Sequence, residues 1–110
     1  MRLAILVIGL WPSIALAQID ANVATYSANR TCAQWTEGKV KDDWSHKADQ
    51  SWVVGLISGY NGAKGYDVLS TSNVDGAFAW IDQRCGANPL DPLSYSARLL
   101  IAELERRRKR

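Results

Sequence analysis

The longest apolar run away from the N-terminus is Trp52-Val53-Val54-Gly55-Leu56-Ile57-Ser58-Gly59-Tyr60. Its β-branched residues would suit a buried strand. Its spacing favours a helix: Trp52, Leu56 and Tyr60 recur every four positions, and Val53 with Ile57 widens the stripe. The pattern predicts a central helix from about Ala48 through Tyr60, capped by Ser45 or Asp49 and ended by Asn61-Gly62. Gly55 and Gly59 lie beside the stripe, and each costs a helix about 1 kcal/mol relative to alanine. Close approach of a second helix is the expected compensation. The Gly-x3-Gly spacing also occurs where membrane helices pack, but the polar flanks leave too few apolar residues to span a bilayer.

The same reading places three more helices around this one. Thr31 is a plausible N-cap for a short helix holding Cys32, Ala33, Trp35 and Thr36 and ending near Gly38. Lys39 to Asp43 reads as a charged turn; Trp44 after it could pack beneath the turn or, like Trp35 and Trp80, stand on a recognition surface. Ser72 or Asn73 caps a helix from Val74 to Cys85, ended by Gly86, with Asp75 near its positive end. Phe78, Ile81 and Cys85 share one face there, flanked by Val74 and Ala77, and Trp80 falls at its edge. Asn88-Pro89-Leu90-Asp91-Pro92 is a stiff connector, with Asp91 as N-cap and Pro92 as first helical residue. The last helix carries Leu93, Ala97, Leu100, Ile101 and Leu104 at helical spacing. The expected fold class is all-α: one small bundle of about four helices over residues 31–105.

The N-terminus does not belong to that bundle. Met1-Arg2 is a short basic start, Leu3 to Leu16 is nearly all apolar, and Ala15-Leu16-Ala17 has the form of a signal-peptidase site. Residues 1–17 are therefore expected to be a signal peptide cut after Ala17, and the mature protein to be periplasmic or secreted. Residues 18–30 are mostly polar and read as a flexible arm. Export makes the two cysteines structural: a monomer has only the pairing Cys32–Cys85, and so small a domain needs such a staple. Closing that loop stabilises by roughly 4 kcal/mol.

Charge changes the picture at one end. The formal net charge is +2, yet the last five residues, Arg106, Arg107, Arg108, Lys109 and Arg110, are all basic, so the rest of the mature chain is net acidic. A basic tail can contact an anionic envelope surface; it can equally be a solvated helix end whose cations suit the C-terminal dipole. No basic stripe with interleaved aromatics points to nucleic acid. No residue set amounts to a catalytic site: His46 is the only histidine, and Asp42, Asp43 and Asp49 lack the spacing of metal ligands. The expectation is a binding protein without enzyme activity, cofactor or metal. Trp35, Trp52, Leu56, Tyr60 and Trp80 form the candidate partner surface, and a homodimer is one possible assembly.

Thr31-Cys32-Ala33-Gln34-Trp35, the apolar central helix, the helix ending in Cys85 and the charged last helix together resemble the HdeA/HdeB family of small periplasmic acid-stress chaperones. The resemblance covers roughly residues 31–105. It implies an all-α fold with the cysteines bridged, and binding of unfolded client proteins in acid through apolar surface around Trp52 to Tyr60. The Asn88 to Pro92 connector and the basic tail depart from that pattern. A Gly-containing helix followed by a helix, an Asn-Pro connector and a Leu/Ala/Glu-rich helix also looks like the Rap1a/Tai immunity proteins. That resemblance implies one dedicated protein partner, a toxin. A third expectation is an envelope-associated structural protein held by its tail.

Overall fold

A computed structural model describes residues 30–109. The expected signal peptide, arm residues 18–29 and Arg110 lie outside the described residues. Four helices follow in order: α1 (Cys32–Lys41), α2 (Trp44–Lys64), α3 (Val74–Ala87) and α4 (Leu93–Arg108). The all-α expectation holds, and Cys32 and Cys85 are joined as a disulfide with their Cα atoms 4.6 Å apart.

The hub of the bundle is α1, not the long apolar helix. It packs against all three other helices, while α3 and α4 also pack on each other and α2 rests chiefly on α1. Local chemistry starts α1 as expected. The Thr31 hydroxyl accepts from the Gln34 N–H at 3.2 Å, and the Gln34 side chain accepts from the Thr31 N–H at 2.9 Å, a full capping box. The connector before α4 completes the job: the N–H groups of Cys32 and Ala33 donate to the carbonyls of Asp91 and Pro89, each at 2.9 Å. These are the orphan donors of a first turn, and a neighbouring loop satisfies them.

Several helix ends differ from the sequence expectation. α1 does not stop at Gly38 but runs to Lys41, and Asp42 ends it in the left-handed region at φ 52°. Asp43, rather than Ser45 or Asp49, is the N-cap of α2; its carboxylate accepts from the His46 N–H at 3.2 Å and the Ser45 hydroxyl at 2.6 Å. α2 passes through Asn61-Gly62 and ends at Gly65, φ 79°, where glycine carries no Cβ penalty. Of the two expected caps, Ser72 and Asn73, it is Asn73 that caps α3, accepting from the Gly76 N–H at 2.7 Å. α3 passes Gly86 and stops at Ala87. The position before α4 is Pro92, with no side-chain cap, because the Asp91 carboxylate is turned to Arg84 at 2.9 Å. α4 continues through Arg108, so there is no structural break at Glu105.

The core holds Cys32 and Trp35 of α1, Val53 and Ile57 of α2, Val68 of the α2–α3 loop, Ala77, Ile81 and Cys85 of α3, and Leu93, Leu100 and Leu104 of α4. Gly38 makes the close helix approach. A Cβ there would lie 3.2 Å from Ser45 Oγ and 3.3 Å from His46 Cβ. Asp49 is fully buried and held by Arg30, whose Nε and Nη2 donate to its two oxygens at 2.9 and 2.8 Å. Asp49→Ala is expected to lower stability by about 2 kcal/mol in urea unfolding. That is below the loss for a wholly buried pair, because Arg30 keeps some contact with water.

Candidate functional site

α2 presents two stripes. His46, Asp49, Val53 and Ile57 are buried on the first. The second is turned by one residue, about 100°, and carries Trp52, Gly55, Leu56, Gly59 and Tyr60. These five line an open, apolar groove of about 530 Å³. Trp52 and Tyr60 have their inner edges on the core. The glycines form the floor: a Cβ built at Gly55 or Gly59 would meet nothing within 4 Å. The close helix crossing expected at these glycines is therefore absent among the described residues. α2 meets α1 at Gly38 instead, which leaves the Gly55–Gly59 side uncovered by any described residue. No described helix is long and apolar enough to cross a membrane.

A polar clasp fixes the far end of the groove. The Tyr66 hydroxyl donates to Glu105 Oε2 at 2.6 Å, and Arg108 Nε donates to Glu105 Oε1 at 3.0 Å. The Arg108 guanidinium lies 3.7 Å from the Tyr66 ring centroid. Lys64 sits over the Tyr60 ring at 5.6 Å. Burial, with hydrogen bonding to Tyr66 and Glu105, pushes the Tyr60 phenol up to about 12. The Tyr66 hydrogen bond, followed by those of Arg108 and Tyr60, holds the Glu105 carboxyl down at about 2. A carboxyl whose folded pKa is depressed contributes stability above its unfolded pKa and loses it as pH falls through the folded value. The clasp therefore persists below the ordinary carboxylate range and opens only near pH 2. Tyr66→Phe removes the largest cause, and the Glu105 carboxyl is expected to titrate closer to its ordinary 4.5, read from its ¹³C chemical shift.

The other predicted site residues separate. Trp35 is a correction: it is fully buried in α1, its Nε1 donates to Asp82 at 2.7 Å, and its ring packs on Phe78 and His46. It is not a surface residue of the fold. Trp80, on α3, is half-buried against the core and does not line the groove. Trp52, Leu56 and Tyr60 do come together. Trp44, for which the sequence leaves packing beneath the turn and surface exposure both open, is 80% exposed in the first turn of α2. Its neighbours there, Asp43 and Ser45, are occupied with capping.

His46 is buried edge-on to Trp35, ring centroids 5.2 Å apart, and its Nδ1 has no hydrogen-bond partner among the described residues. Arg106 and Arg107 both pair with Glu103, and Arg108 with Glu105. Much of the basic end is thus neutralised within its own last turns. Comparison with protein-family models, with curated proteins and with solved structures finds no match to this chain.

Proposed function

We propose that this chain is an exported, non-enzymatic binding protein of the acid-stress chaperone type, resembling HdeA/HdeB, whose α2 groove takes apolar segments of unfolding proteins. The observation that carries the reading is the uncovered groove with Trp52, Leu56 and Tyr60 on its walls and two glycines on its floor. Such a surface binds aromatic and aliphatic side chains with little demand for sequence, which suits many clients. The disulfide between α1 and α3 supports the reading, because it keeps the bundle tethered when packing loosens. At about pH 2–3 most carboxylates are protonated, the chain becomes strongly cationic, and self-repulsion opens the helices further. The Glu105 clasp holds the Tyr60 end of the groove in place through most of that range.

The test is aggregation of an acid-denatured client, followed by light scattering at about pH 2–3 and at neutral pH. Suppression is expected in acid only. It should be lost on reducing the disulfide, and weakened several-fold by Leu56→Ser, whose side chain is half-exposed and whose loss spares the core. Absence of suppression at both pH values would overturn the reading. One tight complex at neutral pH would instead favour a dedicated protein partner.

A further inference from the structure

The basic residues at the end of α4 do not act as one tail. Arg108 is turned inward, to Glu105 and the Tyr66 ring. Arg106 and Arg107 share a single carboxylate, Glu103, so one of their two charges stays uncompensated. The Lys109 ammonium group has no carboxylate partner among the described residues, and neither has the guanidinium of Arg98, about two turns before Arg106.

Helical geometry gathers these charges on one face. Successive residues are turned by about 100°, and the exposed positions along α4 are Tyr95, Arg98, Ala102, Arg106 and Lys109, the residue that ends it. They fall within about 80° of one another. They point away from the core, because the opposite side of α4 carries the buried Leu93, Ala97, Leu100 and Leu104. From Tyr95 to Lys109 the stripe runs about 21 Å at 1.5 Å per residue. No carboxylate stands among its exposed side chains: Glu103 and Glu105 are mostly covered and turned to their own arginines.

The chemistry of this face selects its partner. At its middle it offers only Ala102, so it lacks the aromatic and aliphatic centre around which protein interfaces are built. Its one aromatic, Tyr95, stands at the end, with the Arg84 guanidinium 5.4 Å from its ring centroid. Nucleic-acid bases therefore find no ring to stack on between the cations. What remains is a straight row of cations with a tyrosine at one end. The phosphates of an anionic bilayer supply the complementary charge, and tyrosine is at home at the level of the headgroups.

We propose that the exposed face of α4 docks the bundle on anionic phospholipid, with headgroup phosphates against Arg98, Arg106 and Lys109. The contact is peripheral, since no described helix is long and apolar enough to cross a membrane. It is a helix face that begins at Arg98, not the five-residue tail that the sequence alone suggests. It holds whichever partner the α2 groove takes.

The purified chain is sedimented with vesicles of phosphatidylglycerol mixed with phosphatidylcholine, and with vesicles of phosphatidylcholine alone. Binding is expected to the mixed vesicles only, and about 0.5 M salt should release it, because the contact is electrostatic and screened. Each cation near an anionic surface strengthens partitioning about fivefold, so Arg98→Gln combined with Lys109→Gln should weaken binding about 25-fold. Neither side chain has a described partner, and the urea midpoint should stay where it is. Lys41→Gln combined with Lys47→Gln removes the same charge from exposed positions where α1 meets α2, and should change binding less than about twofold.

Equal losses in the two double variants overturn the proposal, since net charge would then explain the binding without a face. Binding that is equal on neutral vesicles, or indifferent to salt, overturns it as well and would mean apolar insertion. Absence of binding to the mixed vesicles overturns it outright. Retention on immobilised polyglutamate in that case, abolished by the α4 variant, would make an acidic protein segment the partner.

Discussion

Trp35→Ala is expected to cost about 3–5 kcal/mol and to leave the domain at the edge of unfolding. The ring is fully buried in the helix that touches all the others, between Phe78 of α3 and His46 of α2. Its removal opens a cavity at the centre of the bundle, and α1, tied by the disulfide and the connector carbonyls, is held back from closing it. It also strips the indole hydrogen bond from Asp82, leaving it the Lys39 pair among the described residues. Trp35→Phe separates the two effects. It retains most of the ring, so the expected loss is about 1–2 kcal/mol, mainly the missing hydrogen bond. Urea unfolding followed by far-ultraviolet circular dichroism measures both variants. An unchanged midpoint for Trp35→Ala would return this residue to the surface, where its sequence alone allowed it to stand.

The second large effect belongs to the disulfide. Cys32 and Cys85 are separated by 53 residues, and a closure of that length restricts the unfolded chain by about 4 kcal/mol. Cys32→Ala combined with Cys85→Ala tests this without burying a new polar group. Both sulfurs are buried beside the Ser96 hydroxyl, which lies 3.2 Å from Cys32 Sγ. The paired substitution should lower the urea midpoint by an amount close to that seen on reducing the unaltered chain. If reduction leaves the midpoint where it was, the tether contributes nothing, and the argument that it holds the bundle in acid fails with it.

These two sites show how differently the sequence speaks about its parts. The disulfide was legible because two cysteines within one chain have one pairing. Trp35 was not, because a tryptophan at the third position past a cap is equally at home inside or outside. The groove was half legible. Trp52, Leu56 and Tyr60 stand out as one stripe and as candidate partner surface, but the sequence does not set them apart from Val53 and Ile57, which are buried. Nothing in the periodicity separates stripes one residue apart when both are apolar. For Trp44 the sequence leaves both core and surface open, and the exposed position follows from its place in the first turn of α2, away from the buried stripe.

What the chain determines by itself is local. Helical spacing, the Thr31 box, the Asn73 cap and the pairing of two cysteines depend on residues within a turn of each other, or on a count, and all of them are present in the fold. What only the tertiary structure decided is what each face packs against and, on α2, which of two adjacent apolar stripes is inside. That depends on what stands opposite, and the partners are distant in sequence. Gly38 meets Ser45 and His46, so α2 crosses there and Gly55 and Gly59 are left open. Connector carbonyls cap α1, so Asp91 is released to Arg84 and Pro92 stands before α4 uncapped. Periodicity defines a face for each helix. Burial assigns it a partner, and on α2 that assignment buried Val53 and Ile57 and left Leu56 lining an open groove.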